Sequence, residues 1–329
     1  MTGSAASPLS DASPPSENQT SDGTDCKYDA ESIRVLQGVD IMRKRPEMYV
    51  GNTDDGSGLH QMVAEAVHGA ICEVVAGYAT RVEVILNADN SVTVRDDGRG
   101  MPVETDKWQG VSRAEAILTE FSHGGSPDPY YEYWGGVGIA VVNALSSRLR
   151  LTVWREDKEH VVEFVDGETV APLGVVGDAR GRRGTELIFV ASREIFSNVE
   201  YDFSTLEGRL REFAFLNSNA TIVLSDMRHA IENRVEMHYP GGGAEFVRYL
   251  DRDRREIVPA PIVVHSELDG IRVEAALWWN DSCEPNVRCF IDHSLDRGSG
   301  DRFAGFHTAL TRQINRYAKA NSDGRTDAG

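Results

Sequence analysis

Leu59, Met62, Val63, Ala66, Val67, Ala70, Ile71 and Val74 fall three and four residues apart within residues 59–76. That spacing puts them all on one stripe of an α-helix, and so apolar a stripe has to be covered by another layer. Close by, "RVEVIL" and "SVTVRD" alternate apolar and polar residues on either side of "NADN", the pattern of strand, turn and strand. The chain is therefore expected to be mixed α/β, with strands grouped together and helices on one side, an α+β sandwich.

The rest of the chain supports that reading. Helices are expected at 112–121, at "GIAVVNALS" and at 203–216, and strands at "RLRLTVWRE", "EHVVEFVD", "GTELIFV" and "ATIVLS". "HGGSPDPYYEYWGGVG" is punctuated by Gly and Pro as a loop is. A second unit is expected from about residue 230. It would hold a helix near 243–251, the strands "APIVVHSE", "IRVEAALWW" and "VRCFID", and a closing helix at 303–319. Residues 1–27 are rich in Ser, Asp, Pro and Thr and are expected to be a disordered tail, as is the polar stretch 320–329.

The net charge of −18 is a poor match for a chain that grips DNA phosphates over its whole surface. No run of eighteen apolar residues appears, and no charged start followed by an apolar core marks a secretory signal. Cys26, Cys72, Cys283 and Cys289 are far apart and form no CxxC pair, which points to reduced thiols and a cytoplasmic location.

Three stretches carry chemistry. Glu65 lies on the apolar helix, where a carboxylate facing a cleft can act as a general base. Asp96 ends a strand at "DDGRGMP", placed to accept a hydrogen bond from an exocyclic amine such as that of adenine. "GGVG" at 135–138 opens a helix, where glycines let backbone N–H groups approach phosphates. Singly each is weak; together, in this order, they form a specific constellation.

That constellation, with "YDAESIRVLQGVDIMRKRPEMYVGNTDDGSGLHQMVAEAV", "ADNSVTVRDDGRGMP", "GVGIAVVNALS", "LREFAFLNS" and "AGFHTALTRQIN", resembles the ATPase region of the bacterial DNA gyrase B family, within the GHKL ATPases. The likeness runs over about residues 28–318. It implies a GHKL (Bergerat-type) sandwich over 28–229 and a partial, ribosomal-protein-like transducer domain over 230–319. It implies ATP as the ligand. Glu65 would activate the attacking water. Asp96, supported by Thr185, would hold the adenine amine, with Gly100, Met101 and Pro102 beside the base. Gly136, Val137 and Gly138 would cradle phosphates, and Arg155 would sit at the pocket rim. Tyr28 and Ile33 would belong to an N-terminal arm exchanged across a homodimer, and a topoisomerase subunit or another protein is an expected partner.

The chain also departs from that pattern. Four residues after the base the family carries an asparagine that coordinates Mg²⁺, and here the position is Gly69, on the same helix face as Glu65. Glycine offers no side-chain oxygen to a hard cation. His68 and Cys72 replace neighbouring aspartates, while Glu73 remains. The lid lysine position is Ser126, and the family's transducer "GGTH" has become "GSGDR". The chain stops at Gly329, short of the family's transducer lysine, TOPRIM domain and gyrase-A-binding tail, so it is not expected to cleave DNA alone.

His68 and Cys72 read either as a thiol–imidazole or soft-metal pair, or as drift at a dead magnesium site. "YYEYW" at 130–134 reads either as a cover for a flat ligand or as a packed loop. Three functions stay open. The first is a nucleotide-binding, hydrolysis-impaired regulatory or interaction module. The second is a scaffold turned to another small-molecule substrate. The third is an ATP-hydrolysing topoisomerase subunit.

Overall fold

The computed structural model describes residues 38–105, 110–120, 137–291, 294–295 and 301–322. All of them belong to one unit, Gln37–Gly329. Tyr28, Ile33, Ser126, the 130–134 cluster and Gly136 lie outside the described residues.

The chain begins with two short helices, α1 (Val39–Lys44) and α2 (Glu47–Val50), followed by α3 (Ser57–Val75), which carries the apolar stripe. β1 (Arg81–Leu86) and β2 (Val92–Asp96) form the expected antiparallel hairpin. Its turn closes where Asn90 takes a positive φ and donates its N–H to the Asn87 carbonyl at 3.0 Å, a conformation Asn tolerates. α4 (Arg113–Thr119) and α5 (Val137–Ala144) precede β3 (Ser146–Arg155), β4 (Lys158–Val165), β5 (Glu168–Asp178) and β6 (Gly184–Ala191). α6 (Phe203–Leu216) starts at Asp202, whose carboxylate accepts the Thr205 N–H at 2.7 Å, and leads to β7 (Thr221–Asp226) and β8 (Asn233–Met237).

These eight strands make one sheet in the order β5-β4-β3-β6-β2-β1-β7-β8, antiparallel except for the β1–β7 pair. α3 lies across β1 and β2. Leu59, Met62, Val63, Val67 and Ile71 meet Val82, Val84, Leu86 and Val92, all of them fully buried. Burying each such side chain stabilises the fold by about 1.5–3 kcal/mol, so this helix–sheet seam is the core. Other sheet residues pair charge with charge, as in Arg95–Glu186, Arg81–Glu83 and Arg150–Glu163.

β5 and β8 are the sheet's two edges, and neither reads as a strand in the sequence. β5 carries Pro172 and two glycines and is exposed along most of its length, a composition tolerated at an edge. β8 lies beyond residue 230, yet it hydrogen-bonds to β7 and completes the first sheet.

Past it, α7 (Gly242–Leu250) docks through aromatic stacking. Phe215 of α6 lies 3.8 Å from the Tyr239 ring and 4.8 Å from that of Phe246. β9 (Ile262–Leu268) and β10 (Ile271–Leu277) form a hairpin over Asp269-Gly270, both at positive φ as a tight two-residue turn demands. Among the described residues of "VRCFID", Phe290–Ile291 alone are strand (β11), paired with β12 (Ser294–Leu295). α8 (Asp301–Ser322) runs three residues into the stretch read as a tail. No helix among the described residues is long and apolar enough to cross a membrane.

Candidate functional site

The site forms where α3, the end of β2, the start of β6 and the N-terminus of α5 converge. Asp96 is the last residue of β2 and shares its inward face with Val92 and Val94, so its carboxylate is carried into the core and is 3% exposed. The Gly98 N–H donates to its Oδ1 at 2.8 Å, and the Thr185 backbone adds a second hydrogen bond. Burial pushes the Asp96 carboxyl up to about 7. The Gly98 N–H pulls against that rise, and the nearby Glu73 carboxylate reinforces it.

Thr185 is buried one strand away, and its Oγ1 accepts the Met101 N–H at 3.1 Å. Among the described residues, Asp96 and Thr185 are the polar members of a narrow recess otherwise walled by Ala66, Ala70, Val94, Met101, Ile139 and Leu187. An apolar slot with one carboxylate and one hydroxyl suits a flat heteroaromatic ring bearing a donor on its edge. Gly100 shapes the rim of the turn. Its φ is +81°, and a Cβ there would meet Val153 Cγ1 at 2.9 Å. Arg155, expected at the rim, donates from Nη1 to the Gly100 carbonyl at 2.8 Å.

Glu65 is half-buried on α3, the helix that supplies Ala66 and Ala70 to the recess wall. It meets Gly138, the second residue of α5, so closely that a Cβ on that glycine would land on Glu65 Oε2. The structure thus brings together the carboxylate on α3, the start of α5 and the Asp96–Thr185 pair. Val137 opens α5 beside Gly138.

Several contributors were not foreseen. Glu73, one helical turn beyond Gly69, is 1% exposed in its side chain and grips Arg99 three ways. The Arg99 backbone N–H and Nε reach Oε2 at 2.9 and 3.1 Å, and Nη2 reaches Oε1 at 2.8 Å. The guanidinium also lies 3.6 Å from the centre of the Tyr78 ring. Gln61 and Arg209 stand behind Glu65. The kept Glu73 and the "DGRG" turn hinted at the first arrangement, but no short-range pattern joins Arg209 to Gln61.

The fit to a cofactor divides. The apolar lining and the two polar groups match a purine in chemistry, while the enclosed volume, about 10 Å³, is that of one water. Gly69 is buried and contributes no side-chain oxygen, so the position expected to hold Mg²⁺ cannot hold it. Among the described residues no group of three His, Cys, Asp or Glu is placed to cage a metal, and His68 and Cys72 have no third ligand of that kind.

Residues 54–191 match the model of the histidine kinase-, DNA gyrase B- and HSP90-like ATPases, and residues 242–327 match that of DNA gyrase B. The chain is 45% identical over 316 residues to the DNA gyrase B protein of Caulobacter vibrioides, covering 92% of this chain and 39% of that protein. It is 46% identical over 296 residues to the DNA gyrase B protein of Rickettsia felis, covering 88% of this chain and 36% of that protein. The chain therefore spans less than half the length of these curated relatives. Among solved structures it is similar to the 43K ATPase domain of Thermus thermophilus gyrase B, a complex with an aminocoumarin. The TM-score is 0.76 at 33% identity, with 89% of this chain and 76% of that one covered.

Proposed function

The chain belongs to the DNA gyrase B family, in its GHKL ATPase region, and from that premise we propose that it binds ATP and splits it slowly, acting as a nucleotide-dependent interaction module. The observation that carries the reading is the pairing of Asp96 and Thr185 inside the apolar recess, with Glu65 against Gly138 beside it. The adenine ring packs at the recess, widening it, and its amine donates to the Asp96 carboxylate. The phosphates run toward Val137 and Gly138 at the start of α5, where unpaired backbone N–H groups and the helix dipole favour negative charge. Glu65 takes the proton of the attacking water.

Gly69 is the reason for the slow step. With no protein oxygen there, a divalent cation is held only by the nucleotide and is poorly placed to neutralise charge as the terminal phosphate departs. In the same reading the nucleotide-binding unit ends after β8 and the transducer-like part begins near α7, later than residue 230. The N-terminal arm with Tyr28 and Ile33 joins two copies, a topoisomerase subunit is the partner, and the protein works in the cytoplasm.

Calorimetry with ATP and ADP, with and without Mg²⁺, tests this together with phosphate release. Binding of both nucleotides with little dependence on Mg²⁺ is expected, with turnover that rises at least about tenfold in Gly69→Asn, the scale of one added transition-state contact. A chain that takes up no adenine nucleotide refutes the reading. A second reading, an ordinary ATP-hydrolysing gyrase subunit, is favoured by the 45% identity across 92% of the chain. Brisk Mg²⁺-dependent turnover that Gly69→Asn leaves unchanged would select it.

A further inference from the structure

Behind Glu65 lies a chain of hydrogen bonds that the ligand-binding reading does not use. Gln61, one turn earlier on α3, donates from Nε2 to Glu65 Oε1 at 2.7 Å. Arg209, on the neighbouring helix α6, donates from Nη1 to Gln61 Oε1 at 2.8 Å. The rest of α6 is anchored in the core by Leu206, Leu210 and Phe213, so the helix gives Arg209 a fixed base.

Chemistry fixes the sense of this chain. A primary amide has an acceptor at one tip and donors at the other, and the two tips have the same shape. A guanidinium only donates, so the Gln61 oxygen has to face Arg209 and its NH₂ has to face Glu65. Turned the other way, the amide would set a donor against a donor and an acceptor against a carboxylate. With a cation at one end and a carboxylate at the other, both bonds are charge-assisted and polarise one another. Glu65 Oε1 is thereby held, and Oε2 is left on the side of Gly138, toward the start of α5.

We propose that Gln61 and Arg209 are positioning residues for Glu65: Arg209 sets the direction of the Gln61 amide, and the amide sets the orientation of the base. A neutral amide neither takes nor gives a proton at ordinary pH, so the pair acts by geometry and not as a proton relay. Misplacing a reacting carboxylate by about 1 Å is enough to cost on the order of a hundredfold in rate. The proposal rests on the reading of Glu65 as the base for ATP hydrolysis.

The test is steady-state phosphate release from Mg-ATP by the full chain, with ADP affinity measured in parallel by calorimetry. Gln61→Leu and Arg209→Met are each expected to lower kcat by about ten- to a hundredfold, with KM and ADP affinity within about twofold of the unaltered chain. Arg209→Lys, which still donates to the amide, is expected to recover part of the rate. The double variant is expected to lose no more than the worse single one, because each change breaks the same chain. A rate unchanged in either single variant, or losses that multiply in the double variant, overturns the proposal. So does a drop in ADP affinity equal to the drop in kcat, which marks a general loosening of the fold. If the unaltered chain binds ATP and releases no phosphate, the proposal falls while nucleotide binding stands. If it binds no nucleotide, both fall.

Discussion

To meet a purine amine as a carboxylate, the stronger hydrogen-bond acceptor, Asp96 has to give up its proton, and its burial makes that costly. With its carboxyl pushed up to about 7, the group is mostly neutral in slightly acidic solution. Ligand binding that needs the ionised form therefore strengthens as pH rises through 7, and below 7 it releases a proton. Well below 7 the affinity should change by about tenfold per pH unit. The effect on folding has the opposite sign. The native carboxyl holds its proton above the ordinary value of 3.8, so stability from this group is greatest below that value and is lost as pH climbs to about 7. Adenosine, which lacks a titrating phosphate, isolates the ligand effect. Calorimetry between about pH 5.5 and 8.5 in two buffers of different ionisation enthalpy should show tighter binding and less proton release at the alkaline end. A flat profile would show that Asp96 is ionised throughout. That Asp96 ends its strand at a glycine turn was legible from "DDGRG". That its proton affinity is raised was not, because the cause is the α3 helix packed over it and the Glu73 carboxylate nearby.

α4 shows how little holds some elements together. Its seven residues are too few to form a stable helix alone. Its start is fixed by a reciprocal pair, in which the Ser112 hydroxyl accepts the Glu115 N–H at 3.2 Å and the Glu115 carboxylate accepts the Ser112 N–H at 3.0 Å. The Leu118 carbonyl near its end accepts from Asn143 of α5 at 3.0 Å, so α4 steadies the helix that carries Gly138. Ser112→Ala should cost about 1 kcal/mol. In a domain of this size that lowers the melting temperature by about 2–4 °C. Thermal unfolding followed by circular dichroism checks it, and an unshifted midpoint would mean that packing, not the cap, holds α4. α3, β1, β2 and α6 were legible because their periodicity is strong and their apolar faces are buried. β5 and β8 were not, since an edge strand exposed along most of its length shows no alternation and becomes a strand only through its neighbour.

Packing density divides the molecule. The eight-stranded sheet is sealed by α3, whereas every residue of β9 is exposed and α8 is open along most of its length. Local opening is cheapest where few apolar contacts are made. Amide hydrogen exchange should therefore find β1, β2 and β6 exchanging orders of magnitude more slowly than β9, β10 and α8. Equal protection across the two regions would show that a further partner covers the hairpin in solution. Residue type and spacing were enough to put Glu65, Asp96, Thr185 and Gly138 in one family pattern, because caps, alternation and motif glycines are written over a few neighbouring residues. The partners that give those residues their working state came only from the folded chain. Arg99 meets Glu73 across 26 positions and Arg209 meets Gln61 across 148, and no local pattern encodes a contact that depends on how α6 crosses α3.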